Sequence, residues 1–261
     1  MTEPNPPRLG FLGTGRIASA MVEGLSNGTK PFPVLVSPRN EAKSRELEQR
    51  WGNVRRAGSN QEVVDGSDVV FIALRAATAR EEVPRLRFRP DHTVVSLSPV
   101  MVHAEVKALV QPVSQVFRAL CLPCVARHLG QIPCFPAGQA VEALLGHLCQ
   151  PVPTRDEEEL HRLWATTNFI STYYALLQTF SDWCEKGGAR PETAQGYLVA
   201  TFTALTRMAE DGAPFAALAA HAATPGGLNE RVLRRMRDGT MFADLEANLD
   251  DFLEFFKPGP G

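Results

Sequence analysis

No stretch of the 261-residue chain approaches the roughly 18 consecutive apolar residues that a membrane-spanning helix needs. Met1 to Arg8 is polar and proline-rich, without an apolar run of signal-peptide length. The expected setting is the cytoplasm, with no membrane partner. Long blocks of one charge are also missing: 27 basic and 29 acidic residues leave a net charge of −2. That balance provides no electrostatic footprint for nucleic acid, so a small soluble substrate is the expected partner. Cysteine is scarce, five in all, and an odd count in a chain of this size reads as reduced thiols rather than a disulfide framework. Internal repeats and low-complexity segments are absent beyond the proline-rich termini. What the chain has is apolar content, 44%, enough for one large domain or two ordinary ones without staples.

The two halves differ in texture. Short β-branched runs at Leu9 to Leu12, Val34 to Val36, Val69 to Leu74, Val94 to Leu97 and Val113 to Phe117 alternate with amphipathic stretches. Ile17, Met21, Val22 and Leu25 recur at helical spacing after the first run, and Ala42 to Trp51 follows the second. Strands separated by helices predict an α/β domain, a Rossmann-type doubly wound parallel sheet, over residues 1–153. From Thr154 the strand runs stop. Helical patterns run through Tyr173 to Trp183, Ala194 to Met208 and Phe242 to Phe256, broken at Gly187-Gly188, Asp211-Gly212 and Pro225-Gly226-Gly227. Residues 154–261 are therefore expected to form an all-helical domain. Its last helix carries a wide stripe of Phe242, Leu245, Leu249, Phe252, Leu253 and Phe256, to be covered either inside its own domain or by a second subunit.

Leu9-Gly10-Phe11-Leu12-Gly13-Thr14-Gly15-Arg16-Ile17-Ala18 reads as a strand, a G-x-G-x-x-A turn and a helix start. Gly13 suits the tight turn, Gly15 lets backbone approach a pyrophosphate, and Ala18 permits close packing of helix on strand. Thr14, Arg16 and Ile17 complete the phosphate-facing segment, where the helix start offers free N–H groups. At the end of the second strand a dinucleotide site for NAD would place an acid on the ribose 2′-hydroxyl. This chain has Ser37-Pro38-Arg39-Asn40 there and no acid until Glu41. Ser37, Arg39 and Asn40 suit a 2′-phosphate, so NADP is the expected cofactor. The alternative for Arg39 is a solvated loop residue.

With these residues the chain resembles the pyrroline-5-carboxylate reductase family over most of its length. The resemblance is carried by Gly10 to Ala18, Ser37-Pro38-Arg39, Asn60 before an acidic helix, Asp68 to Arg75, Val94 to Leu97, Val116-Phe117-Arg118 and Thr224-Pro225-Gly226-Gly227-Leu228-Asn229. It implies hydride transfer from NADPH to a C=N bond and a helical domain that forms a homodimer. It also implies that Asn60, Ala73, Leu74 and Arg75 lie near the cofactor and that the Thr224 to Asn229 turn faces the substrate. Departures fall in the substrate-facing parts. After Arg118 the chain reads Ala119-Leu120-Cys121-Leu122-Pro123-Cys124 in place of the family's Met-Pro-Asn-Thr-Pro. Thr167 to Thr172 stands near its Gly-Ser-Gly-Pro-Ala-Tyr, and Asn229 occupies the place of its substrate-contacting hydroxyl residue.

Imine reduction needs a hydride donor, a proton and something to orient the acceptor. Asn229 and Thr224 are the expected catalytic pair, able to orient a substrate without titrating. Gly226 and Gly227 would let backbone N–H groups approach a carboxylate, and Thr167 and Asn168 add polar contacts. The last two could equally cap the following helix. Tyr173 and Tyr174 could donate a proton but suit an apolar core. Cys121, Cys124, His128 and Cys134 have zinc-ligand chemistry, yet prolines and the missing basic or aromatic face argue for free thiols, and no metal is expected. Two readings remain open: a reductase of a cyclic imine or other carbonyl compound, and an NADP(H)-binding regulator without turnover.

Overall fold

In the computed structural model the described residues are 6–28 and 31–256. They form two compact units, one from within 6–164 with 255–256 and the other 165–254.

The first unit is built on one eight-stranded sheet of order β3-β2-β1-β4-β5-β6-β7-β8. In chain order it runs β1 (Leu9–Leu12), α1 (Arg16–Ser26), β2 (Val34–Val36), α2 (Glu41–Arg50), β3 (Val54–Arg56), α3 (Asn60–Asp65), β4 (Val69–Ile72) and α4 (Ala76–Glu82). It continues with β5 (Thr93–Ser96), α5 (His103–Leu109), β6 (Gln115–Ala119), β7 (Gln131–Phe135), α6 (Gln139–Leu145), β8 (Gln150–Pro153) and α7 (Glu157–Ala165). All neighbours are parallel except β6 with β7. The crossing from β3 back to β4 on the far side of β1 is the strand-order reversal at which open α/β sheets bind dinucleotides.

Strands buried on both faces explain the near-continuous apolar runs of the sequence. Leu9 and Phe11 of β1 and Val69 and Phe71 of β4 join Met21, Val22 and Leu25 of α1 on one face, where the Phe11 and Phe71 rings stack at 4.7 Å. Leu12, Val70 and Ile72 point the other way, onto Val63, Val64, Ala79, Val94 and Val106.

Three strands go beyond the five legible in the sequence, and each has a reason to be hidden. Val54-Arg55-Arg56 is only three residues long and two-thirds charged. β7 contains Pro133 and β8 contains Pro151 and Pro153, and proline demotes a strand reading. β8 tolerates its prolines as an edge strand. The antiparallel β6–β7 pair also departs from an all-parallel sheet.

Residues 154–164, helical in pattern, belong to the first unit, with Leu160 and His161 buried. Arg118, wholly buried at the end of β6, ties that helix down: its Nη1 meets Glu157 and His161 Nε2, and its Nη2 donates to the carbonyls of Ser98 and Pro99. The His161 ring stacks on Phe256 at 4.0 Å.

The second unit is helical: α8 (Ile170–Lys186), α9 (Pro191–Ala209), α10 (Phe215–Ala222), α11 (Leu228–Asp238) and α12 (Met241–Glu254). Phe180 stacks on Phe202 between α8 and α9 at 5.9 Å. No helix among the described residues is long and apolar enough to cross a membrane.

Candidate functional site

A cavity of about 460 Å³ opens at the carboxyl ends of β1, β2 and β4. Ten of the twelve residues expected at the cofactor line it: Gly13, Thr14 and Gly15, then Ser37, Arg39 and Asn40, then Asn60, Ala73, Leu74 and Arg75. Arg16 and Ile17 instead open α1, and their side chains are not part of the wall. Glu41 and Thr78 line the cavity as well.

The glycine turn is shaped for this place. Gly13 has φ +102°, and a Cβ there would stand 2.9 Å from the Ala73 carbonyl oxygen, so both conformation and space demand glycine. Nothing lies within 4 Å of the Cβ position on Gly15, which leaves the backbone open to a ligand. α1 then starts without a side-chain cap and without an acidic residue in its first turn. Its first N–H groups are free to meet an anion.

Two observations test whether a dinucleotide fits. The Thr14 hydroxyl is buried, with the residue only 3% exposed, and has no hydrogen-bond partner among the described residues. A buried polar group left without a partner costs free energy unless a ligand supplies one. Ser37, also buried, accepts the Gly13 N–H at 2.8 Å through its Oγ, which locks the second strand's end against the turn. The residues present fit the phosphates of a dinucleotide.

The cavity wall also carries charge. Arg39 and Arg75 are exposed cations on its wall, and neither forms an ion pair among the described residues. Asn40 also caps α2, its Oδ1 accepting from the Lys43 N–H at 3.3 Å. Glu41 brings a carboxylate to the wall, contrary to the expectation of a carboxylate-free end. It is held by Arg45 at 2.6 Å, a pairing one helical turn away that offsets its charge. Only the structure brings Glu41 in, because the first turn of α2 folds back toward the cavity.

In the second unit the Thr224 to Asn229 segment is a tight turn into α11. Pro225 and Gly226, at φ +73°, take the central positions, and the Gly227 N–H donates to the Thr224 carbonyl at 2.8 Å, as in a type II turn. The Gly226 N–H donates to the Glu230 carboxylate at 2.7 Å. Both glycine N–H groups are thus engaged inside the turn, so the expectation that they would serve a substrate carboxylate is corrected: Gly226 offers space, with nothing within 4 Å of its Cβ position, and a Cβ on Gly227 would stand 2.8 Å from the Thr224 carbonyl oxygen. Asn229 donates its amide to the Ala222 carbonyl at 3.1 Å, leaving its Oδ1 outward, and Thr224 is exposed. Thr167 and Asn168 lie in a 3₁₀ turn, Thr166–Phe169, with Asn168 donating to the Ala165 carbonyl at 3.0 Å. Tyr173 and Tyr174 are both exposed rather than core.

The segment after Arg118 is closed at its start and half-buried from Leu122 to Cys124. Leu120 and Cys121 are buried, and burial pushes the Cys121 thiol up to about 12 and the Cys134 thiol up to about 11, which makes both poor nucleophiles.

Residues 8–99, about a third of the chain, match the family described as NADP oxidoreductase, coenzyme F420-dependent. No curated protein matches the sequence. Among solved structures, a pyrroline-5-carboxylate reductase from Streptococcus pyogenes superposes with a TM-score of 0.85 at 16% identity, covering 97% of this chain and 99% of that one. The Plasmodium falciparum pyrroline carboxylate reductase with NADP bound gives 0.84 at 14% identity, covering 98% of each. A reductive aminase from Aspergillus terreus in complex with NADPH and ethyl-5-oxohexanoate gives 0.57 at 18% identity, covering 80% and 79%. The chain has the fold of the pyrroline-5-carboxylate reductases over nearly its whole length, and residues 8–99 of its sheet unit are similar to the NADP oxidoreductase family.

Proposed function

We propose that this chain is an NADPH-dependent reductase of the C=N bond of a small cyclic imine, working as a homodimer through its helical unit. The observation that carries the reading is the glycine-turn cavity, whose wall holds both the orphaned Thr14 hydroxyl and the unneutralised Arg39 and Arg75. That combination suits a pyrophosphate and a further phosphate, which is NADP chemistry.

When bound, the nicotinamide supplies hydride to the imine carbon, and the product amine nitrogen gains a proton. The chain's own part is to bind and orient. The glycine turn and the start of α1 receive the diphosphate, and Asn60, Ala73 and Leu74 shape the wall beside it. In the second unit Asn229 Oδ1 and the Thr224 hydroxyl are the groups that hold the substrate nitrogen, on a turn kept rigid by its internal hydrogen bonds. Gly226 leaves room beside them, Gly227 lets the turn close on the Thr224 carbonyl, and Thr167 and Asn168 add polar contacts.

Dimerisation has physical support in the helical unit. Trp183 is 76% exposed, Tyr197 69%, Phe215 81% and Leu228 76%. Large apolar side chains left this bare are candidates for burial against another surface. A second copy is the partner proposed, because most soluble oligomers are symmetric assemblies of identical chains.

The test is NADPH oxidation by the purified protein with pyrroline-5-carboxylate, other cyclic imines and ketones. Turnover on one imine, with Asn229→Ala raising KM and lowering kcat, supports the reading. NADPH binding with no turnover on any of them favours the second reading, a cofactor-binding regulator. The commitment of the Asn229 amide to Ala222 and the closed segment after Arg118 are the observations on that side.

A further inference from the structure

Arg56 closes β3 in register with Val36, the residue before the Ser37 to Asn40 loop. Its side chain runs beneath that loop. Nε donates to Ser44 Oγ at 3.1 Å and Nη2 to the Pro38 carbonyl at 3.4 Å. Ser44 is fully buried in α2 and passes its own proton to the Glu41 carbonyl at 3.2 Å. The guanidinium thus joins the loop to the first turn of α2, on both sides of Arg39.

Its charge is not cancelled. Neighbouring cations are paired: Arg45 with Glu41, Lys43 with Glu46, Arg55 with Glu62. Glu48, the carboxylate that meets Arg56, accepts from its backbone N–H, and no ion pair of the Arg56 guanidinium occurs among the described residues. A half-buried cation without an ion pair, hydrogen-bonded to the loop whose Ser37, Arg39 and Asn40 line the cavity, is costly unless an anion arrives.

We propose that Arg56 is the positioning residue of the 2′-phosphate subsite, holding the Pro38 carbonyl so that Arg39 faces the cavity and placing a second positive charge behind the phosphate. This inference rests on the NADPH reading above. It assigns to β3 a share of cofactor discrimination that the loop after β2 would otherwise carry alone. An arginine suits this work because one planar fork can grip a hydroxyl and a carbonyl together while keeping its charge.

The experiment titrates the wild-type protein, Arg56→Leu and Arg56→Lys with NADPH, NADH, 2′,5′-ADP and 5′-AMP by calorimetry. Arg56→Leu is expected to weaken NADPH and 2′,5′-ADP by about tenfold, with NADH and 5′-AMP unchanged within about twofold. Arg56→Lys keeps the charge but not the fork and should recover part of the loss. Unchanged NADH affinity in the same variant shows that the unit is folded. Equal weakening of all four ligands, or of none, overturns the proposal while leaving the NADPH reading intact. A wild-type protein with no preference for NADPH over NADH overturns both.

Discussion

The sheet unit and the helical unit solve the burial problem in different ways. In the first, every strand from β1 to β6 has buried residues facing helices, and the largest side chains, Phe11, Phe71, Met21 and Arg118, are sealed. In the second, large apolar side chains such as Trp183, Phe215 and Leu228 stand mostly exposed. A sheet covered on two faces makes its own interior. A thin layer of helices does not, and in water its bare face needs another surface. The contrast teaches that cofactor binding can be a property of one chain, whereas the exposed apolar surface of the helical unit is what the proposed homodimer would cover.

The sharpest way to break that contrast is to replace Trp183 and Phe215 together by serine. The dissociation constant of the proposed homodimer should rise by more than about a hundredfold, as expected of aromatic anchors, while NADPH affinity stays as it was. Sedimentation velocity and a fluorescence titration read the two. A wild-type chain that sediments as a monomer would remove the distinction between the units.

Gly13→Val attacks the other side. The clash with the Ala73 carbonyl and the positive φ should weaken cofactor binding by about thirtyfold or more, leaving the oligomer untouched.

Thr14→Val is subtler. Removing a buried hydroxyl without a partner should leave the free protein as stable or more so in urea, yet weaken NADPH by about fivefold. Equal affinity in this variant would show that the hydroxyl does not meet the cofactor.

The smallest effect concerns pH. Burial, then the adjacent Arg118 charge, holds the His161 imidazolium below its ordinary pKa of 6.5, and burial does the same to His92. A depressed folded-state pKa means that the unfolded chain binds more protons, so stability is complete above about pH 6.5 and declines as the pH falls below it. Urea midpoints between pH 7.5 and 5 should drop, and His161→Gln should flatten part of the slope. A midpoint independent of pH in the wild type would argue against neutral buried imidazoles.

Much of the cofactor cavity was legible because it is local. A glycine turn following a strand, with a helix start after it, obeys rules that act within ten residues, and Ser37, Arg39 and Asn40 follow from the strand that must end there. Glu41 and Arg56 were not legible. A glutamate in the first turn of a helix and an arginine in a three-residue strand look like ordinary solvated surface, and only the fold shows that one reaches the cavity and the other runs beneath its rim. The Thr224 to Asn229 turn was legible as a turn, through Pro225 and Gly226, but the hydrogen bonds that occupy its glycine N–H groups were not.

Apolar periodicity and glycine placement, which act over short stretches, determined from the sequence alone an α/β first half with a dinucleotide turn and a helical second half. Tertiary structure decided what joins distant residues: Ser37 onto the Gly13 N–H across 24 positions, Arg56 under Pro38 across 18, and Arg118 to Glu157 and His161 across 39 and 43. Such contacts are set by which strands become neighbours, and strand order is chosen by the whole core at once rather than by any segment.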